Sequence, residues 1–165
     1  IHTRLVEADL TKAKIIGANL AKANLGQANL TGARLDKTIL INTNLAGATV
    51  KQRQIEQAFL CNAINPDGET SGCKLSLLNL EGSFLSGLDM SGAQLRKTNL
   101  RRANLTDTNL HSASLQQANL REAVLVRANL NGANLRGAKL DLADTQDATF
   151  CNTVDPNGWR LYTGC

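Results

Sequence analysis

The chain has 165 residues, a length suited to one domain, and its 18 basic and 14 acidic side chains leave a net charge of +4. Aromatic residues make up only 3%, which excludes a core of large interlocking rings and leaves one built from small, regular pieces. The charge is spread along the chain without a basic or acidic block and so singles out no partner by itself. No apolar run approaches the length needed to cross a bilayer, so no membrane insertion is expected. The opening on Ile1, with neither a charged n-region nor an apolar h-region, fits a soluble mature form from which a signal peptide has been removed.

Taken in chain order, the first element is a repeat. From Leu5 to Leu60 and again from Leu75 to Phe150 every fifth position is apolar, and of these 28 slots only Thr145 breaks the rule. Two residues earlier stands, as a rule, a small residue, Ala in 18 of the 28 slots and Thr in five of the other ten, as at Thr38, Thr43, Thr98 and Thr108. Clean units are Ala18-Asn19-Leu20, Ala23-Asn24-Leu25, Ala103-Asn104-Leu105 and Ala128-Asn129-Leu130. A period of five fits neither the 3.6 of a helix nor the 2 of a strand, either of which would scatter the leucines over all faces. Five residues per side and four sides per turn predict a square coil of about 20 residues, with Leu and Ala pointing inward and coils stacked about 4.8 Å apart. Ala leaves room beside the central Leu, where a larger residue would overpack. Gly17, Gly32, Gly47, Gly82, Gly87, Gly92, Gly132 and Gly137 fall two places after the core residue, at the predicted corner.

The first run of coils covers 1–49. Between residues 50 and 74 Arg53 takes a small-residue slot, where an unpaired charge cannot be buried. Thr49-Val50-Lys51-Gln52 has the form of a capping box, and residues 51–59 are good helix formers that place Ile55, Ala58 and Phe59 on one face. A short helix packed on the coil is expected there. The alternative is two degenerate repeats that keep the coil, because Ile55 and Leu60 stay in phase. Over the second run, 75–150, stacking predicts outward ladders such as Glu81, Arg101, Arg121, Asp141 and Ser76, Arg96, Gln116, Arg136. The acids bracketing Arg101 and Arg121 predict mutually compensating surface charge.

The A(N/D)LxG units resemble the pentapeptide-repeat family over about 130 of the 165 residues. The resemblance implies an all-β solenoid, a right-handed quadrilateral β-helix, in a single domain spanning 1–165 with a helix and loop inserted at 50–74 and a cap at 151–165.

Two segments share one design. Cys61-Asn62 leads through Pro66-Asp67-Gly68 to Gly72-Cys73, and Cys151-Asn152 through Pro156-Asn157-Gly158 to Gly164-Cys165. The central tripeptide is a turn, with Pro fixing φ and the Asx-Gly pair supplying left-handed geometry. Four thiols suggest zinc, but there is no Cys-x-x-Cys, and stacked coils put Cys61 and Cys151 on the order of 20 Å apart. Local disulfides, Cys61 to Cys73 and Cys151 to Cys165, are expected instead, each worth about 2 to 4 kcal/mol. Disulfides persist in oxidising compartments. The Cys-Asn-turn-Gly-Cys loops also resemble those of cyanobacterial and chloroplast pentapeptide-repeat proteins, which implies a periplasm or a thylakoid lumen.

Catalytic chemistry is not indicated. His2 sits at a terminus, and His111 follows a core Leu, facing water between Ser91 and Asn131 with no nucleophile or orienting group in its ladder. No phosphate loop, metal motif or paired-carboxylate pocket is present, and a filled tube lacks the cleft that a small molecule needs. No enzyme activity, cofactor or metal is therefore expected. Phe59 and Phe84 stand where Asn or Asp is usual and either pack under the helix and loop or form an exposed patch. Trp159 and Tyr162 are expected to cover the open end of the last coil. These features predict a scaffold for an unidentified protein partner. Some family members imitate DNA and inhibit type II topoisomerases, but that needs an acidic surface and this chain is +4. Binding of DNA itself lacks an uninterrupted basic face and stacking aromatics.

Overall fold

The structure is a computed structural model that describes residues 3–162 and Cys165. The chain divides into two compact units, Ile1–Gly72 and Cys73–Cys165. Each is a stack of coils in which the residue before the core leucine bridges in parallel to the residue 20 positions on. In the first unit Arg4 pairs with Asn24, and Asn24 with Asn44; in the second, Asn79, Asn99, Asn119 and Lys139 form one continuous run. Twenty residues per turn in five-residue units gives four sides, the quadrilateral β-helix that the period predicts.

Backbone hydrogen bonds explain the period. Where a regular coil follows, the N–H of a core leucine donates to a carbonyl 19 residues on, as Leu105 does to Val124 at 2.7 Å, and the N–H two places later does the same, as Asp107 does to Val126 at 2.9 Å. At each corner the next small residue donates back to the core leucine, as Ala103 does to Leu100 at 3.0 Å. The corner residue takes a left-handed conformation whether or not it is glycine: φ is 71° at Gly132 but also 58° at Lys97 and 59° at Gln117. Stacking of neighbouring coils therefore carries strained corners that glycine alone does not supply.

Leucine and alanine fill the interior, with Leu25, Leu30, Leu40 and Ala28 buried in the first unit and Leu95, Leu105, Leu120 and Ala118 in the second. Each buried leucine contributes about 2 to 3 kcal/mol. Leu88 occupies a small-residue slot and is still buried, so that slot admits more volume than the overpacking argument allows.

The interruption combines both expected readings. Strand β1 (Ile39–Ile41) is followed by helix α1 (Gln52–Ile55) and strand β2 (Phe59–Cys61), and β2 pairs in parallel with β1, Ile39 opposite Phe59. The helix is shorter than the 51–59 segment expected, because Phe59 joins the ladder and cannot stay on a helical face. Ile55 keeps its core slot at 4% exposure, so the coil stays in phase through the interruption. The expected capping box is also displaced: Lys51 is the N-cap, and its N–H donates to Gln54 Oε1 at 3.0 Å. Arg53 is exposed, as its charge requires, and Gln54 turns inward instead.

Both Pro-Asx-Gly segments form tight hairpins. Ile64 bridges Thr70 antiparallel, and β3 (Thr153–Val154) pairs antiparallel with β4 (Arg160–Leu161). The turn glycines have φ of 89° at Gly68 and 95° at Gly158, which a side chain rarely adopts.

Candidate interaction surface

With the interior filled, the side chains open to contact are the outward ones. Where asparagine precedes a core leucine, as at Asn44, Asn99, Asn119 and Asn129, it has a double role that the repeat alone did not reveal. Its Oδ1 accepts from the N–H two residues on, as Asn104 does from Thr106 at 3.0 Å, and its Nδ2 donates to the asparagine one coil below, as Asn119 does to Asn99 at 3.0 Å. Threonine in the small slot is equally specific: Thr98 Oγ1 donates to the Leu75 carbonyl at 2.7 Å and Thr108 Oγ1 to that of Leu85 at 2.9 Å, both buried. The recurrence of Asn and Thr at fixed places in the unit was the available signal.

In the second unit the predicted ladder of Glu81, Arg101, Arg121 and Asp141 carries Arg101–Glu81 at 3.4 Å and Arg121–Asp141 at 2.7 Å. It also extends sideways. Glu122 accepts from Arg101 and from Arg102, each at 2.6 Å, tying two adjacent ladders together. Those hydrogen bonds, from Arg102 first and then Arg101, hold the Glu122 carboxyl below its usual range. The hydrogen bond from Arg127 lowers Asp107 in the same way, and that from Arg121 lowers Asp141. Arg96, Gln116 and Arg136 of the other predicted ladder border a shallow depression whose lining holds no carboxylate.

His111 is exposed, and its backbone N–H donates to Asn109 Oδ1 at 3.1 Å; His2 lies outside the described residues. Phe84 is 64% exposed, which favours the patch reading for that residue, whereas Phe59 is half-buried in β2. Trp159 and Tyr162 are 74% and 69% exposed, so their rings do not cover the last coil as expected. The β3–β4 hairpin holds that segment by its backbone instead.

Cys151 and Cys165 are joined by a disulfide with a Cα separation of 4.8 Å. Cys61 and Cys73 are disulfide-bonded as well, and no cysteine is free, which removes thiolate ligands from the zinc alternative. Among the described residues no group of three His, Cys, Asp or Glu is placed to hold a metal ion. Nor, among them, is any helix long and apolar enough to cross a membrane.

Comparison with known proteins adds a family. The model for pentapeptide repeats matches in 8 copies over residues 1–27, 18–52, 73–111 and 103–141. No curated protein matches the chain. Among solved structures, the chain is similar to HetL, a pentapeptide repeat protein involved in heterocyst differentiation regulation from the cyanobacterium Nostoc sp. strain PCC 7120, at 26% identity over 97% of this chain and 92% of that one, with a TM-score of 0.33. It is also similar to QnrB1, a plasmid-mediated fluoroquinolone resistance protein, at 15% identity over 93% and 79%, with a TM-score of 0.35. A pentapeptide repeat protein from the Arabidopsis thaliana thylakoid lumen matches at 20% identity over 92% and 67%, with a TM-score of 0.27.

Proposed function

The chain belongs to the pentapeptide-repeat family, and from that premise we propose that it is a non-catalytic scaffold that binds a protein partner through its outer walls in an oxidising compartment. The observation that carries this reading is the charged wall of the second unit. There Glu81, Arg101, Arg102 and Glu122 are fixed by mutual hydrogen bonds on a backbone ladder. A surface held in one geometry loses little entropy when a partner docks on it. Exposed pairs of this kind add little stability, but they set which charge pattern a partner must present.

The oxidised cysteines support a periplasm or thylakoid lumen, because such bonds are rarely kept in a reducing cytosol. The proposal includes local pairing of Cys61 with Cys73, a single repeat domain over 1–165, and the right-handed coil that sterics favour for parallel crossovers. Affinity capture from an extracytoplasmic extract, comparing the native chain with an Arg101→Glu, Arg102→Glu double variant, tests the reading. A protein retained by the native chain and lost from the folded variant is the expected outcome. Identical capture by both would remove the wall from the proposal.

A further inference from the structure

Helix α1 leaves the coil beneath it with unbalanced hydrogen bonding. On neighbouring sides of that coil the core N–H groups donate upward, Leu25 to Asn44 at 2.7 Å and Leu30 to Thr49 at 2.9 Å. By the same register Gly32 would donate to the Lys51 carbonyl and Leu35 to that of Gln54. The Lys51 carbonyl is engaged inside the helical turn, accepting from the Gln54 N–H at 2.9 Å. Among the described residues neither Gly32 nor Leu35 then has an acceptor for its N–H.

The carbonyls on this side fare differently. Gln54 Nε2 donates to the carbonyl of Ala33 and to that of Leu30, the latter at 3.2 Å, while its Oε1 is occupied by the Lys51 N–H. The side-chain amide thus replaces the backbone donor that the Ala33 carbonyl has lost, while the Leu30 carbonyl also keeps its bond from the Ala33 N–H at 3.0 Å, and it supplies nothing to the stranded N–H groups. What remains is a side rich in donors and poor in acceptors. Over it α1 stands off to leave a shallow cleft bordered by Gly32, Arg34, Asp36, Lys51, Arg53 and Gln57. Three of these residues are cations, and the single carboxylate, Asp36, is paired with Arg34 at 3.4 Å. Leu35, between Arg34 and Asp36, is buried and does not border the cleft, so the stranded N–H offered there is that of Gly32.

We propose that this cleft is a binding site for a small tetrahedral oxyanion of the phosphate or sulfate class, held by the Gly32 N–H from below and by Arg34, Lys51 and Arg53 at the rim. An unpaired backbone N–H suits an anion because it offers a fixed positive dipole without a side chain to desolvate, and guanidinium groups add charge-assisted bonds. The site is independent of the scaffold reading and can fail without it.

Titration of the full chain with inorganic phosphate, followed by amide NMR, tests the site. A saturable shift at the Gly32 amide is expected, with affinity about tenfold weaker in Arg53→Gln and tighter in Asp36→Asn, which removes the opposing charge. Arg136→Gln, a change in the separate depression of the second unit, should leave the curve unchanged, and sulfate should compete with phosphate. Absence of a saturable response at the Gly32 amide would overturn the proposal. Equal weakening by Arg53→Gln and Arg136→Gln would do so too, since it signals general charge attraction. Arg53 is exposed and outside the ladder, so a preserved circular dichroism spectrum separates lost binding from lost folding.

Discussion

At the scale of single residues, polar side chains in this chain stand in for backbone groups. Thr98 and Thr108 bring a hydroxyl to a leucine carbonyl in the coil below, and asparagines stack in register with their own kind, as Asn44 does on Asn24 at 3.2 Å. Gln54 goes further. Buried at 8% exposure, it donates to Ala33 in place of its own N–H, which α1 has taken. Replacing it with leucine keeps the volume but leaves the Ala33 carbonyl and the Lys51 N–H without their partners. Leaving such buried groups unsatisfied costs about 2 kcal/mol, so Gln54→Leu should lower the midpoint of chemical unfolding, while Gln57→Leu, at an exposed neighbour, should change it little. The sequence places Arg53 outside the core by charge alone, whereas nothing in its pattern marks Gln54, because the carbonyls it serves are 21 and 24 residues away.

At the scale of elements, two hairpins built on the same Pro-Asx-Gly turn interrupt and end the repeat. Their sequence design was legible, since proline and glycine impose local geometry. The extent of α1 was not. Helix propensity favours all of 51–59, yet pairing of β2 with β1 claims Phe59 and limits the helix to four residues. The Cys151–Cys165 bridge closes a separation of 14 residues around the β3–β4 hairpin. By chain entropy such a loop is worth about 3 kcal/mol. The Cys151→Ser, Cys165→Ser double variant should therefore unfold at lower denaturant, with hydrogen exchange rising first at Asp155, whose N–H donates to the Trp159 carbonyl at 2.8 Å within that hairpin.

For the molecule as a whole, stability comes from repeating the same contacts between neighbouring coils, and the surface charge is a lesser term. Asp107, Glu122 and Asp141 all have lowered carboxyl values through hydrogen bonds from arginine. A group with a folded value below its unfolded one, about 4 for a carboxylate, contributes stability that is complete above that value. The contribution is lost as pH falls through the lowered folded value. Urea midpoints should accordingly be flat from neutral pH down to about 5 as far as these groups are concerned, and fall below about 4. Glu122→Gln should flatten part of that acid limb, and high salt should shrink it, because exposed pairs are screened.

The repeat by itself determined the family, the four-sided coil and the identity of nearly every core residue. A five-residue period has one way to bury its leucines, and each unit repeats that solution locally. Tertiary structure decided the rest: Gln54 in place of a backbone donor, Glu122 shared between Arg101 and Arg102, Trp159 and Tyr162 turned to solvent. These contacts join residues about 20 positions apart on neighbouring coils, or depend on which of two competing hydrogen-bond patterns a segment adopts. A one-dimensional period carries the register of the stack but not the direction in which a long polar side chain leaves it.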